Sequence, residues 1–391
     1  MSLDTKYYLP HRLSSMNPAV RVAILSTYPP TPCGIATFSA ALANGLIENG
    51  HDVSIVRIGD QSLVPVKPVT AILDDVDCQP SRIAIEELNR ASVVIVQHEY
   101  GLFAGHDGDS IVSVLDQITV PIIVVAHTVL HSPTSRQREV LRAVTMRADA
   151  VVVMTDAGRE LLVREFAVDE RKVSVIPHGA ALRTSPVARA GLGTSRLLTW
   201  GLLGPGKGIE WVIDALSLLD DLRPHVSYLV AGVTHPKVVS IDGEAYRNML
   251  RARALRNGVA PYVRFDETYK GLDDLSAMIG EAEIVILPYD SVDQVTSGVL
   301  VDAVAAGCPV ISTTFPHSEE LLRSGAGMLV PRKDPEALAA AIREALTTPQ
   351  RSAQMAAEAR RIAPKLAWTA VSAQYATLAT RLILTNDRSR A

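Results

Sequence analysis

The chain has 391 residues, of which 48% are hydrophobic and 20% are charged, and its formal net charge is -4. This length favours two globular domains over one, and the composition excludes an intrinsically disordered chain. The bulk charge gives no reason to expect a nucleic-acid partner.

The front half of the chain alternates between predicted strands and helices, after a tail at residues 1–18 to which we assign no chemistry. Apolar, β-branched runs predict strands at 20–26, 53–58, 93–96, 122–126, 151–154 and 173–176. Phe38, Leu42 and Leu46 recur at helical spacing after the first strand, and Gly50 is expected to end that helix. Continuous apolar strands that alternate with helices are typical of a parallel sheet covered on both faces.

The rear half repeats this alternation after a predicted linker between His178 and Ser195. Its strands are predicted at 197–200, 228–231, 262–265, 284–287, 310–312 and 328–330. Residues 334–336, Asp-Pro-Glu, have the N-cap, first-turn proline and early acid of a helix start. Because ligands of such sheets bind beyond the carboxyl ends of the strands, the loops that follow the strands are the candidate site.

The cysteines and the apolar runs indicate the cellular compartment in which the protein is expected. Cys33, Cys78 and Cys308 are far apart and form no CxxC pair, so neither a disulfide framework nor a zinc site is predicted. No run approaches the ~20 apolar residues that span a bilayer, and the first residues do not read as a signal peptide. The expected location is the cytoplasm.

In each half of the chain, a glycine-containing turn follows the first strand. In residues 32–38, Gly34 would let a ligand approach the backbone at a helix N-terminus, although a simple strand-to-helix turn is the alternative. Residues 201–208, GLLGPGKG, almost spell a P-loop, with Gly204 and Lys207 in the turn. Gly208 stands where a P-loop has the magnesium-binding hydroxyl, so we predict a diphosphate site without that metal ligand. A solvated lysine is the alternative.

A third loop comes before a predicted helix in the rear half. Ser297 and Gly298 open this helix and would leave free N–H groups for an anion. Gln294 precedes the helix and Asp302 lies about one turn inside it, so both could face one pocket. An N-cap cluster with a surface acid is the alternative interpretation.

Three histidines of the front half follow strands: His98, His127 and His178. A lone histidine is more often structural, but strand ends are where ligands bind, and a neutral or charged imidazole could contact a sugar hydroxyl or a phosphate.

Two other patterns are interpreted as solvated charges: the DxD spacing at residues 75–77, and four arginines on one predicted helix. The alternative for the arginines, Arg136, Arg138, Arg142 and Arg147, is an acidic acceptor or an anionic membrane surface.

Together these loops resemble the retaining glycosyltransferases of family 4, over residues 20–375. The segment DAVAAGCPVI at 302–311 is similar to the family's EAMAxGxPVI, residues 201–208 are similar to GRxxxxKG, and PHGA at 177–180 is similar to the (N/H)GV turn. Trp368 and Tyr375 look like the closing W-x6-Y helix. HEYG at 98–101, THP at 234–236 and the Gln294 run resemble a bacterial subgroup with Gln in place of the first Glu of E-x7-E.

This resemblance implies the α/β GT-B fold, with two Rossmann-like domains whose parallel sheets face each other across a cleft. The expected N-terminal acceptor domain spans 19–185 and the nucleotide-sugar donor domain spans 195–365. A C-terminal helix at 366–384 is expected to cross back to the first domain.

The resemblance also implies roles for single residues. His127 would contact the transferred sugar and, with Lys207, is a candidate catalytic residue. The implied donor-binding residues are Gly34, Gly204, Lys207, Gln294, Ser297, Gly298, Val299 and Asp302. His98, Glu99 and His178 are assigned to the acceptor side or another part of the cleft.

Three departures from the family pattern concern charge. Leu202 replaces the arginine of GRxxxxKG, so one diphosphate cation is missing or comes from elsewhere, with Arg264 as a candidate. Gln294 replaces the first Glu and loses its charge, and Asp302 is a shorter version of the second.

The implied reaction moves a hexosyl group, with retention, from a nucleotide sugar, GDP-mannose or UDP-glucose in first place, to a small-molecule, glycan or lipid-linked acceptor. No metal or other cofactor is expected, no nucleic acid is expected, and peripheral membrane contact is the less favoured alternative. A nucleotide-sugar epimerase or a sugar phosphorylase on the same fold, or a catalytically weakened binding module, are the rival functions. A P-loop NTPase is the least favoured, because of Gly208.

Overall fold

The computed structural model describes residues 19–31, 33–59, 65–74, 81–182, 195–268, 270–291 and 295–390. The predictions for the tail at 1–18, the DxD spacing at 75–77, most of the linker and Gln294 therefore lie outside the described residues.

A seven-stranded, entirely parallel sheet forms the centre of the front domain. Its strands are β1 (Arg21–Ser26), β2 (Asp52–Ile58), β3 (Val69–Leu73), β4 (Val93–His98), β5 (Ile122–Ala126), β6 (Ala150–Val153) and β7 (Val173–Val175). Their order is β3-β2-β1-β4-β5-β6-β7, so the order reverses beside β1. The helices of this domain are α1 (Gly34–Glu48), α2 (Arg82–Asn89), α3 (Ile111–Leu115), α4 (Ser135–Arg147) and α5 (Asp156–Phe166).

A six-stranded parallel sheet forms the rear domain. Its strands are β8 (Ser195–Trp200), β9 (Val226–Ala231), β10 (Val263–Asp266), β11 (Ile284–Leu287), β12 (Val310–Thr313) and β13 (Gly327–Val330), in the order β10-β9-β8-β11-β12-β13. Its helices are α6 (Ile209–Ser217), α7 (Pro236–Asp242), α8 (Ala245–Arg256), α9 (Leu272–Glu281), α10 (Gly298–Ala305), α11 (Pro316–Leu322), α12 (Pro335–Thr347) and α13 (Pro349–Leu366).

Each sheet is buried on both faces, as the continuous apolar runs predicted. Val94 and Val96 of β4 belong to one front core, and Val93 and Ile95 belong to the core on the opposite face. The rear sheet divides its strand residues between two cores in the same way. The predicted fold class, two Rossmann-like parallel-sheet domains, is therefore confirmed.

One strand was missed and one helix start was confirmed. The edge strand β3 alternates between buried and more exposed residues, so it lacks the continuous apolar run that identified the other strands. At α12, the Asp334 carboxylate accepts a hydrogen bond from Ala337 N at 2.8 Å, and Pro335 occupies the first turn. The positive φ of Gly50, +87°, confirms the predicted end of α1.

The last helix, α14 (Trp368–Arg390), packs on the front domain. Val371 and Tyr375 are fully buried in the front core together with Leu42 and Leu46 of α1. Asn49 donates hydrogen bonds to Thr369 O at 2.9 Å and to Ser372 Oγ at 2.8 Å. The chain thus returns to its first domain at its end.

Gly45 sets the distance between α1 and α14. A Cβ at this position would lie 2.8 Å from both Ser372 Oγ and the backbone oxygen of Trp368. Gly45→Ala should therefore lower the melting temperature, although the same change in a free helix would stabilise by roughly 0.5–1 kcal/mol. Asn44→Ala on the exposed face of α1 is the matched control and should leave the melting temperature unchanged or raise it slightly. A melting temperature of the Gly45 variant above that of the wild type would contradict this packing.

Candidate functional site

The glycine turn at 201–208 is built against the loop after β11. Gly208 has φ +67°, and a Cβ there would lie 1.7 Å from the backbone oxygen of Pro288. Asp290 N donates to Gly206 O at 3.0 Å. Lys207 Nζ stands 4.6 Å from the centre of the Tyr289 ring. Because only glycine fits at 208, a P-loop hydroxyl has no room, and the P-loop interpretation fails on structure as well as on sequence.

The N-terminus of α10 lies beside this turn. Ser297 caps the helix by accepting a hydrogen bond from Leu300 N at 3.3 Å, and its own N–H donates to His317 Nδ1 at 2.8 Å. A Cβ added at Gly201 would lie 3.7 Å from Val299 Cγ2, so the glycine turn and the first turn of α10 are neighbours. The two predicted anion-binding segments therefore share one wall.

The opposite wall comes from the front domain. A Cβ at Gly298 would lie 3.0 Å from His178 Nε2, so the imidazole sits directly against α10. The Phe38 ring contacts the rings of His127, His178 and Trp368 edge to face, with centroid distances of 4.9, 5.1 and 4.9 Å. His127 and His178 are thus brought together opposite the glycine turn and α10, as predicted for one crevice.

Gly34 begins α1 at the edge of this wall. The Cys33 thiol caps the helix by accepting from Ala36 N at 3.3 Å, and a Cβ at Gly34 would meet no atom within 4 Å. The space above Gly34 is therefore open, as a ligand-binding turn requires. Its role under the donor phosphates stays a prediction, as do the roles of Gly204 and Gln294.

The four imidazoles of this region are neutral near pH 7. Burial, followed by the fields of neighbouring histidines, lowers the pKa of His127 and of His317 to about 3. Burial likewise lowers the pKa of His98 and of His178 to about 4. Of the two forms that the sequence left open, the structure favours a neutral imidazole at His127.

Tautomers follow from the hydrogen bonds of these neutral rings. His178 Nδ1 donates to Gly179 O at 2.6 Å, which leaves Nε2, the atom facing Gly298, as an acceptor. His127 Nε2 lies 2.6 Å from Gln97 Oε1 on the neighbouring strand β4, to which it donates. Gln97 therefore orients the predicted catalytic ring.

His98 is fully buried at the end of β4, beside Tyr100 at a ring-centroid distance of 5.4 Å. Neither of its ring nitrogens has a hydrogen-bond partner among the described residues. Its assignment to the acceptor side or another part of the cleft stays a prediction. Glu99 is partly exposed; its carboxylate accepts from Tyr100 N at 3.1 Å and from the Thr128 hydroxyl.

Asp302 is a partly buried carboxylate on α10. It forms no ion pair with any other described residue, and burial raises its pKa to about 7. A carboxylate in this condition lacks hydrogen-bond donors, and ribose hydroxyls are donors that would stabilise its charged form. The predicted ribose contact agrees with this chemistry but is not tested by it.

Contacts between the domains hold the loop after β11 in place. Val295 belongs to the front core, and its oxygen accepts from Thr155 Oγ1 at 3.0 Å. The Glu320 carboxylate of α11 accepts from the backbone N–H groups of Asp156, at 2.9 Å, and Ala157, at the start of α5. No sequence pattern singles out Glu320. His317 comes shortly after β12, as the other histidines follow their strands, and could have been found in that way.

The other charged candidates lie elsewhere. Arg136, Arg138 and Arg147 of α4 pair with carboxylates of their own domain: Asp109, Glu165 and Asp116. Arg264 is exposed on the edge strand β10, two strands from β8, so it does not fill the gap left by Leu202.

Two features are absent from the residues that the structure describes. No group of three or more His, Cys, Asp or Glu side chains there could hold a metal ion. No helix there combines the length and the apolar character that crossing a bilayer requires. Metal independence and cytoplasmic location remain predictions.

Both halves match glycosyltransferase family models. Residues 32–183 match the model described as Glycosyltransferase Family 4, and residues 194–348 match the model described as Glycosyl transferases group 1. Among curated relatives, the D-inositol 3-phosphate glycosyltransferase of Corynebacterium glutamicum is 26% identical over 66% of this chain and 66% of its own length. That of Rhodococcus opacus is 28% identical over 65% of this chain and 60% of its own length.

Solved structures share the fold at low identity. Anabaena Alr3699/HepE in complex with UDP and glucose superposes with a TM-score of 0.73 at 16% identity, covering 93% of this chain and 100% of that chain. Sucrose-phosphate synthase from Thermosynechococcus elongatus gives 0.73 at 18% identity, covering 93% and 99%. These likenesses support the GT-B architecture.

Gly208→Ala should unfold the protein at a lower temperature than Gly206→Ala does. Both glycines have positive φ, but only a Cβ at 208 meets a backbone oxygen, whereas one at 206 meets nothing within 4 Å. Left-handed strain of about 1 kcal/mol is common to both variants. Calorimetry of the two proteins measures the difference, and equal melting temperatures would refute the proposed contact with Pro288.

Asp302→Asn should stabilise the protein increasingly as the pH rises from about 4 to about 7. The folded state binds the Asp302 proton more tightly than the unfolded chain, whose pKa is near 3.8, so the wild type loses unfolding free energy across that window. Asparagine removes this loss. Urea unfolding at pH 4.5 and 8 measures the free energy of unfolding of the wild type and of the variant, with exposed Asp242→Asn as the control. A stability difference that does not change with pH would contradict the raised pKa.

Proposed function

We propose that the chain, both halves of which match glycosyltransferase family models, transfers a hexosyl group from a nucleotide sugar to an acceptor, with retention of configuration. GDP-mannose and UDP-glucose are the proposed donors. The observation that carries the proposal is the shared crevice: the glycine turn with Lys207 and the N-terminus of α10 face His127 and His178 of the other domain.

The chemistry proposed for this crevice is stabilisation of a departing diphosphate. As the bond between sugar and phosphate breaks, negative charge grows on the leaving oxygen. The free N–H groups of Gly298 and Val299 and the ammonium of Lys207 are aimed at that region and need no reorganisation to meet the charge. Neutral His127, held by Gln97, is suited to hydrogen-bond the transferred sugar rather than to neutralise phosphate.

Domain contact supports transfer over hydrolysis. Contacts between the two domains beside the crevice, such as that of His178 with Gly298, would keep water away from a bound sugar. Attack from the face of the leaving group would then retain the anomeric configuration. The acceptor is unidentified. D-inositol 3-phosphate belongs in the panel to be tested, since several relatives are named for it.

Donor binding is tested by thermal shift with nucleotide sugars of uridine and guanosine. A ligand that binds only the folded state raises the melting temperature, by an amount that grows with its concentration over Kd. We expect one nucleotide sugar to raise the melting temperature and the corresponding free sugar to leave it unchanged. No shift with any of them would remove the proposed function.

Turnover is tested with Lys207→Ala and His127→Ala, using release of the nucleoside diphosphate in the presence of an acceptor panel. Each variant should stay folded and lose about 10²–10³-fold in kcat, the usual effect of removing one such group. Lys365→Ala and His106→Ala, both at exposed sites, are the matched controls. Near-wild-type turnover in both site variants would remove the site assignment.

The same assay separates the rival functions. Conversion of the donor without an acceptor would indicate an epimerase, and dependence on free phosphate a phosphorylase. Binding without turnover over the whole panel would indicate a binding module.

A further inference from the structure

The diphosphate site has one positive charge fewer than the family pattern provides. Leu202 occupies the arginine position of GRxxxxKG, and Lys207 is the only basic residue of the turn at 201–208. A departing diphosphate carries more than one negative charge, so a second cation near Lys207 would add to its stabilisation. Arg264 lies on the edge strand and does not supply it.

The loop after β9 is joined directly to the glycine turn. Leu203 N donates to Val233 O at 2.9 Å, and His235 N donates back to Leu203 O at 2.8 Å. A Cβ at Gly204 would also lie 3.0 Å from Cγ2 of Val238, which follows Lys237 in α7. The start of α7, which carries Lys237, is therefore fixed beside the turn that carries Lys207.

A buried arginine holds this loop in shape. The Arg247 side chain is 1% exposed, and its Nη2 donates to Gly232 O at 2.9 Å and to Thr234 Oγ1 at 3.2 Å. Its Nε donates to Glu244 at 3.0 Å, and the same carboxylate accepts from Thr234 at 2.5 Å. Such a network restrains the backbone from Gly232 to Thr234, and with it the direction in which α7 begins.

The side chain of Lys237 reaches the front domain. Its Nζ would lie 2.9 Å from a Cβ at Gly101, in the turn that follows β4. Its field opposes the rise in the pKa of Glu99 that burial causes. Burial is the largest cause of the lowered pKa of His235. The fields of Lys237 and Lys207 lower that pKa further. Both ammonium groups therefore act on one imidazole, and no described carboxylate forms an ion pair with either of them.

We infer that Lys237 supplies the donor diphosphate with the second positive charge that Leu202 cannot provide. The inference rests on the proposed function, and it gives a role to the THP segment at 234–236 and the HEYG segment at 98–101. The first segment carries Lys237 to the diphosphate, and the turn of the second leaves room for its side chain because residue 101 is glycine. Since the ammonium also faces Glu99, it stands between the donor side and the acceptor side of the crevice.

The test is isothermal titration with UDP and GDP as probes. In Lys237→Met the affinity for the diphosphate that the wild type prefers should fall about tenfold, the effect of one charged hydrogen bond, and its dependence on salt should weaken. Affinity for the corresponding nucleoside, uridine or guanosine, should stay the same. Lys237→Arg should keep most of the diphosphate affinity, and Arg264→Met should keep all of it.

Three results would overturn this role while leaving the proposed function intact. They are diphosphate affinity of Lys237→Met within twofold of the wild type, an equal loss in Arg264→Met, and a parallel loss of nucleoside affinity. The third would do so because a lysine that pairs with the diphosphate does not contact the nucleoside. If the wild type bound neither diphosphate, the proposed function itself would fall, and the role of Lys237 with it.

Discussion

The close approach of Gly298 to the imidazole of His178 is the contact on which the crevice depends. A side chain at 298 would put its Cβ 3.0 Å from His178 Nε2, which is tighter than an ordinary contact, so the imidazole would have to shift. With glycine there, the first N–H groups of α10 stand at the domain boundary, where unpaired donors favour an anion. Ser297, held by His317, and Val295, buried in the front core, fix the same segment from the other side.

Burial at this boundary decides the protonation states of the site. It leaves His127 and His178 uncharged near pH 7, and it raises the pKa of Asp302 to about 7. Lys207 and Lys237 form no ion pair with any described carboxylate, and burial raises the pKa of Glu99, the carboxyl group that Lys237 faces. A carboxylate kept without a partner destabilises the folded state, and this is the trade-off between stability and function expected of a binding site before its ligand arrives.

Much of the fold could be predicted from the sequence, because strands buried on both faces produce continuous apolar runs that carry their own signal. The edge strand β3 could not, since two of its five residues are not buried and interrupt the apolar run. At the site, Lys207 and His127 are predicted because they follow strands, and Gly298 is predicted because it opens a helix. Position along a strand says nothing of how deeply a ring is buried, so the full burial of His98 could not be predicted. Lys237 and Glu320 act on the opposite domain, and only packing reveals such partners.

The two chain crossings between the domains suggest how the crevice would open. Ala180, just before the first crossing, donates its N–H to Leu366 O at 2.7 Å and pairs with Ala367 at the second. The crossings therefore form one joint. A rotation about it would separate His178 from Gly298, Thr155 from Val295 and Lys237 from Gly101 together, since each pair has one member in each domain. A donor that contacts both walls binds only the closed arrangement, so its binding energy would favour closure. Donor binding would then hold these three pairs together at the stage when exclusion of water matters for transfer.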